Sequence, residues 1–161
     1  MPFLRLGETI YHTPRPLRGP TGASCAVVAG TWRLAEQEAA LRRRNAEQLL
    51  SELWAQPGFE LITSPRHARP GYLRLPVLAS PVVRRAVDEP ATRRLGVMAG
   101  YPKMLCDLDG FRTRCLNRDD AFPGSRFLIA RLCTFPTHGR LNARDLAELK
   151  RWIRARGGRD A

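Results

Sequence analysis

At 161 residues, with 43% hydrophobic and 26% charged side chains, the chain has the size and composition of one folded domain with its own core. No apolar run of roughly eighteen residues occurs, which excludes a membrane-spanning helix. The opening MPFLRLGETIYHTPRP lacks the apolar core of a signal peptide, so the cytoplasm is the expected compartment. The net charge of +12 raises nucleic acid as a partner, but 25 of the 27 basic residues are arginine, only Lys103 and Lys150 being lysine. The arginines are spread along the chain, with Arg42–Arg44 the one cluster, so generic attraction to polyanions is expected and no specific nucleic-acid binding.

Residues 1–20, rich in Pro and Gly, predict an irregular arm. A start signal at Thr21 opens a helix over 22–55, with Leu34, Leu41, Leu49 and Leu53 near helical spacing and Glu38 four residues before Arg42. Arg42–Arg44 give its charged face, and Ala46, Leu49, Leu50 and Leu53 its packing face. Gly30 is a candidate bend and Pro57-Gly58 the stop. Such a helix spans about 50 Å, more than a small domain is wide, so one end is expected to project. Trp32 and Trp54 are expected in the core or an interface.

Strands are predicted at 59–63 and 72–78, where Pro76 argues for an edge position or a bulge. Ser80-Pro81 caps a helix that Pro90 interrupts. Residues 96–101 read as a third strand, 102–121 as a long loop turning at Asp109-Gly110, 122–132 as a helix, and 133–136 as a fourth strand. Asn142, with Asp145 three residues on, caps the last helix, and Gly157-Gly158 ends it, leaving 157–161 as a tail. The fold class is therefore α+β, a small, mostly antiparallel sheet packed with helices, with 21–156 as the domain.

The chemistry-bearing residues are sparse. Cys25, Cys106, Cys115 and Cys133 form no C-x-x-C pair and lie far in sequence from His12, His67 and His138, which speaks against zinc and for buried or half-buried free thiols. Asp107, Asp109, Asp119 and Asp120 meet only half of a calcium-loop pattern, and Arg112, Arg114 and Arg118 among them point to ion pairs instead. Neither glycine-rich nucleotide loop is present. His138 lies in FPTHGRL without a nucleophile pattern near it, and reads as a turn residue whose ring bonds nearby backbone. Lys103, after Tyr101-Pro102 at a strand end, is a plausible pocket rim, and Lys150 a solvated charge.

Taken together, RRRNAEQLLSEL, PGFELI, YLRLPVL, GVMAGYP and FPGSRFLIARLCTFPTHGRLNARDLAELKRWI have a recognisable order and spacing. They resemble the C-terminal small domain of the DegT/DnrJ/EryC1/StrS aminotransferases, which are fold-type-I sugar aminotransferases dependent on pyridoxal phosphate (PLP). The resemblance runs from about residue 20 to 156, and its most specific piece is Thr134-Phe135-Pro136-Thr137-His138.

The resemblance implies that the cofactor lysine, the aspartate facing the pyridine nitrogen and the phosphate-binding residues belong to a large domain outside these 161 residues. Lys103 and Lys150 do not match the cofactor lysine, so no catalytic, cofactor-binding or metal residue is assigned and no cofactor is expected on this chain alone. Tyr101-Pro102 matches a segment near the substrate side, usually followed by Pro-Leu-His, where this chain has Lys103-Met104-Leu105-Cys106. His138 matches a turn that supports the domain joint. Tyr101, Lys103 and His138 are thus the candidate substrate-side or domain-joint residues. The implied function is a truncated or stand-alone aminotransferase-like domain without transaminase activity of its own, supporting a separate PLP-binding domain. Alternatives are a component of an active amino-sugar aminotransferase and a basic nucleic-acid binder. Without a large domain, apolar surface around Ala26, Val27, Val28 and Trp32 is expected to be exposed or covered by self-association, as a dimer or a sticky monomer.

Overall fold

The computed structural model describes residues 19–158. Most of the expected N-terminal arm and the end of the tail lie outside the described residues. Thr21 does start the first helix: its hydroxyl accepts from the Ser24 amide at 3.1 Å. Helix α1 then runs Gly22–Leu53, unbroken through Gly30, for about 48 Å. It ends at Trp54, short of Pro57-Gly58.

Four strands follow, β1 Phe59–Leu61, β2 Leu75–Ala79, β3 Met98–Ala99 and β4 Leu132–Phe135, in the order β1-β2-β4-β3 with every pairing antiparallel. They are shorter than the sequence pattern suggests, because apolar runs continue past the last ladder partner. Pro76 is neither on an edge strand nor at a bulge: β2 is internal and its register with β4 is continuous, Pro76 opposite Thr134. The reason is local. β1 stops at Leu61, opposite Val77, so at Pro76 β4 is the one ladder neighbour and the other side of the strand is bare.

Between the strands lie α2 Pro81–Val87, α3 Pro90–Arg94, α4 Asp109–Arg112 and α5 Pro123–Arg131, with α6 Ala143–Gly157 last. Ser80 caps α2, and Pro90 splits the segment by serving as the first residue of α3. The expected loop 102–121 contains a 3-10 turn at Leu105–Asp107, and Asp109-Gly110 begins a helical turn instead of a reverse turn. Asn142 and Asp145 form the full capping box, each side chain bonding the other's backbone amide at 3.0 Å.

Alternation along the strands gives the sheet two different faces. Leu75, Val77 and Ala79 of β2 and Cys133 and Phe135 of β4 point into the core, where they join Leu49 and Leu53 of α1, Val83 and Val87 of α2, and Leu149 and Ile153 of α6. Phe135, Phe59 and Trp152 meet there at centroid separations of 5.9–6.2 Å. Trp32 and Trp54, by contrast, are 60% and 81% exposed, so neither enters the core. α6 seals the core by a backbone contact: the Gly58 amide donates to Gly157 O at 2.8 Å, and a Cβ on Gly157 would stand 2.6 Å from that of Gln56. The second face carries Leu132 and its cross-strand partner Leu78, beneath α5.

Candidate functional site

Two features stand out: the projecting part of α1 with its joint, and a cavity on the sheet's second face. Val28, Trp32, Ala35, Ala39, Arg42, Ala46, Leu49 and Leu53 alternate steps of four and three, which places them along one seam of the helix. Ala46, Leu49 and Leu53 are fully buried on that seam, against α6 and the sheet. Residues 22–37 are exposed on all sides, about 24 Å of helix, and Val27, Val28, Trp32 and Leu34 are each at least 60% exposed. The core-facing seam therefore continues past the core without a neighbour among the described residues.

The joint between the two parts of α1 is held by polar contacts. Glu38 accepts from the Gly139 amide at 3.1 Å and pairs with Arg42 at 2.8 Å, and Arg42 Nη1 donates to Leu73 O at 2.7 Å. Asn45, buried in the apolar face, donates Nδ2 to the carbonyls of Thr137 (3.0 Å) and His138 (3.2 Å). His138 thus lies at the root of α1, held through its backbone. Its ring does not make the expected backbone bond: Nδ1 is buried and has no partner among the described residues. Thr137 is fully buried, its hydroxyl donating to Tyr72 O at 2.5 Å.

Sequence reasoning missed Asn45 and Arg74. A carboxamide beside Ala46 on a buried face was the available signal for the first. Arg74 left none: it donates to Thr134 Oγ1 (2.7 Å), to Thr134 O (3.0 Å) and to Gly96 O, and burial lowers the pKa of its guanidinium.

Tyr101 and Lys103 lie at the other end of the sheet. β3 runs antiparallel to β4, so residues after Ala99 approach the start of β4, where Gly100 N donates to Leu132 O, whereas His138 follows the end of β4. Tyr101 and Lys103 share the rim of a half-open cavity of about 660 Å³ between residues 101–117 and α5. His138 is not part of it. Two thiols, Cys106 and Cys115, line the cavity; Cys115 Sγ donates to Asn117 Oδ1 at 3.3 Å. Cys133, on the core face, is fully buried, and desolvation pushes its thiol up to about 12 against a smaller opposing influence of Arg84.

PLP requires an acid facing its pyridine nitrogen and a cup for its phosphate. The cavity wall contains no Asp or Glu, and Lys103 is its one charged residue. These residues do not fit PLP. Among the described residues no group of three His, Cys, Asp or Glu is arranged to hold a metal ion, and no helix is long and apolar enough to cross a membrane. Of the acidic stretch, Asp119 pairs with Arg112 (3.9 Å) and Arg118 (3.6 Å), both pairs exposed.

No model of a protein family matches the sequence, and no curated protein matches it significantly. Solved structures do. A structure of DesV from S. venezuelae in complex with a ketimine intermediate superposes with a TM-score of 0.71 at 16% identity, over 86% of this chain and 37% of that one. The aminotransferase TlmJ from Streptoalloteichus hindustanus gives 0.67 at 19% identity, over 82% and 35%. A DegT DnrJ EryC1 StrS aminotransferase from Brucella abortus gives 0.67 at 18%, over 84% and 35%. The chain thus has the fold of the matched part of these structures, an α+β small-domain topology like that of fold-type-I aminotransferases, and spans little more than a third of their length.

Proposed function

We propose that this chain is a supporting domain, without transaminase activity of its own, that docks through the projecting part of α1 on a separate PLP-binding domain. One observation carries the reading: Val28, Trp32, Ala35 and Ala39 continue the seam along which Ala46, Leu49 and Leu53 bury the core. A helix face that is apolar for sixteen residues beyond its own domain gains about 1.5–3 kcal/mol for each large side chain that a neighbour covers. The aminotransferases of the same fold carry nearly two thirds of their length outside the matched region, which is the kind of body such a face fits. His138 and Asn45 serve this arrangement by fixing the root of the helix, and Tyr101 and Lys103 present the substrate side of the domain. The cavity wall without an acid supports the absence of an independent cofactor site.

A second reading, pairing of two copies along the same helix, is favoured by charge. Residues 22–37 carry only Arg33 and Glu36, a neutral stretch in a chain of net charge +12, so two copies meet there without repulsion.

The test is retention of cofactor. The purified chain is incubated with PLP, desalted and examined for the yellow absorbance of lysine-bound cofactor. The expected result is none; retained absorbance that disappears in Lys103→Ala refutes the proposal. Light scattering on the same sample separates the two docking readings, a concentration-dependent dimer favouring self-pairing.

A further inference from the structure

We infer that the cavity on the second face of the sheet is a binding site for an apolar monocarboxylate, an aliphatic chain with one anionic head. Its volume of about 660 Å³ lies within the 300–1,000 Å³ typical of small-molecule sites. Phe122, Ser125, Ile129 and Leu132 recur at steps of three, four and three, so α5 turns one face to the cavity. That helix has no fully buried residue, and Leu128, also part of the wall, is 44% exposed. The apolar side of α5 therefore faces an open space instead of a packed core.

The backbone holds this wall in place at a cost. Phe122 sits at φ 43° and ψ 55°, the left-handed region that a bulky side chain avoids by about 1–2 kcal/mol. That geometry starts α5 while setting the Phe122 ring into the cavity wall. Strain of this kind persists where the surroundings over-determine it, and it gathers at ligand sites.

The polar groups decide the chemistry of the ligand. Lys103 is the single charged residue of the wall, and it has no hydrogen bond or ion pair among the described residues. Asn117 receives the Cys115 thiol on its oxygen, which leaves its amide N–H groups to donate. A cation and an amide donor, beside the hydroxyls of Tyr101 and Ser125 on a mostly apolar wall, favour an acceptor of negative charge. An apolar cation meets Lys103's repulsion and no carboxylate there, with only the rings of Tyr101, Phe111 and Phe122 to attract it, and a polar heterocycle finds no carboxylate to bond its N–H groups.

The probe is decanoate, with decyltrimethylammonium as the control of equal chain length and opposite charge. The chain has four isoleucines, so spectra of a sample labelled at the isoleucine Cδ1 methyl are simple, and Ile129→Val assigns the reporter. The full-length protein should show saturable movement of the Ile129 methyl with decanoate, little with the cation, and fixed Ile62 and Ile153 signals. Lys103→Gln, an exposed change that leaves the core untouched, should weaken decanoate binding about three- to tenfold. Ser125→Trp, filling the cavity from an exposed helix position, should abolish the shift while thermal unfolding stays unchanged. No Ile129 shift, an equal response to both amphiphiles, or all methyls moving together would each overturn the assignment.

Discussion

Leu49→Ala and Trp32→Ala probe the same seam of one helix on either side of its joint. Leu49 is fully buried against α6 and the sheet, whereas Trp32 is 60% exposed. Removing three carbons from a sealed site costs about 3–5 kcal/mol, the transfer of the lost methyls plus the cavity they leave. For a domain of this size each kcal/mol lowers the melting temperature by about 2–4 °C, so Leu49→Ala should melt roughly 6–20 °C below the parent. Trp32→Ala, at a side chain 60% exposed, loses little packing among the described residues and gains helix propensity, so its change should stay within about 0.5 kcal/mol, under 2 °C. The assay is circular dichroism melting at micromolar concentration, repeated tenfold higher. A Trp32→Ala loss as large as that of Leu49→Ala at the lower concentration would show that residues 22–37 are packed within the monomer, and would refute the reasoning. A loss that appears only at the higher concentration would mean that two copies cover the seam.

Other outcomes follow from particular contacts. Asn142→Ala removes one arm of the capping box of α6 and should cost about 1 kcal/mol in chemical denaturation, whereas Asn142→Ser should recover most of it. Gly157→Ala drives a methyl into Gln56 and the Phe59 ring, and should lower the melting temperature more than Gly124→Ala, which opens onto empty space in a helix. Cys133 titrates near 12 when folded and near its ordinary 9.0 when unfolded, so the folded state binds the extra proton between these values and stability falls as pH rises from about 9. Cys133→Ala should flatten that part of the pH–stability curve relative to the parent. In the native protein at pH 8, exposed Cys25 should react with a thiol reagent and Cys133 should not.

Much of the architecture was legible because local signals agreed with the tertiary structure. Thr21, Ser80 and Asn142 mark helix starts through the oxygen each offers to orphan amides, and the structure uses all three. The overhang of α1 followed from length alone, since 32 helical residues outrun a small core. Signals failed where the deciding partner is distant in sequence. Pro76 looked like an edge residue because its missing N–H is local, whereas its tolerance depends on where β1, fifteen residues earlier, stops at Leu61. Trp54 and Trp32 read as core or interface residues by hydrophobicity; the core place beside Phe59 and Phe135 is taken by Trp152. Lys103 could be named as a rim residue from its position after a strand. The cavity behind it could not, because its walls come from α5 and from a segment without period.

The claim that most needs testing is that α1 is two things at once, core element and free docking face. Amide hydrogen exchange along α1 of the isolated, dilute chain addresses it directly. The account predicts a step near the joint at Glu38–Asn45: amides of 26–37 exchange nearly as fast as those of a lone helix, and those of 46–53 only through global unfolding. Equal, strong protection along the whole helix would contradict it.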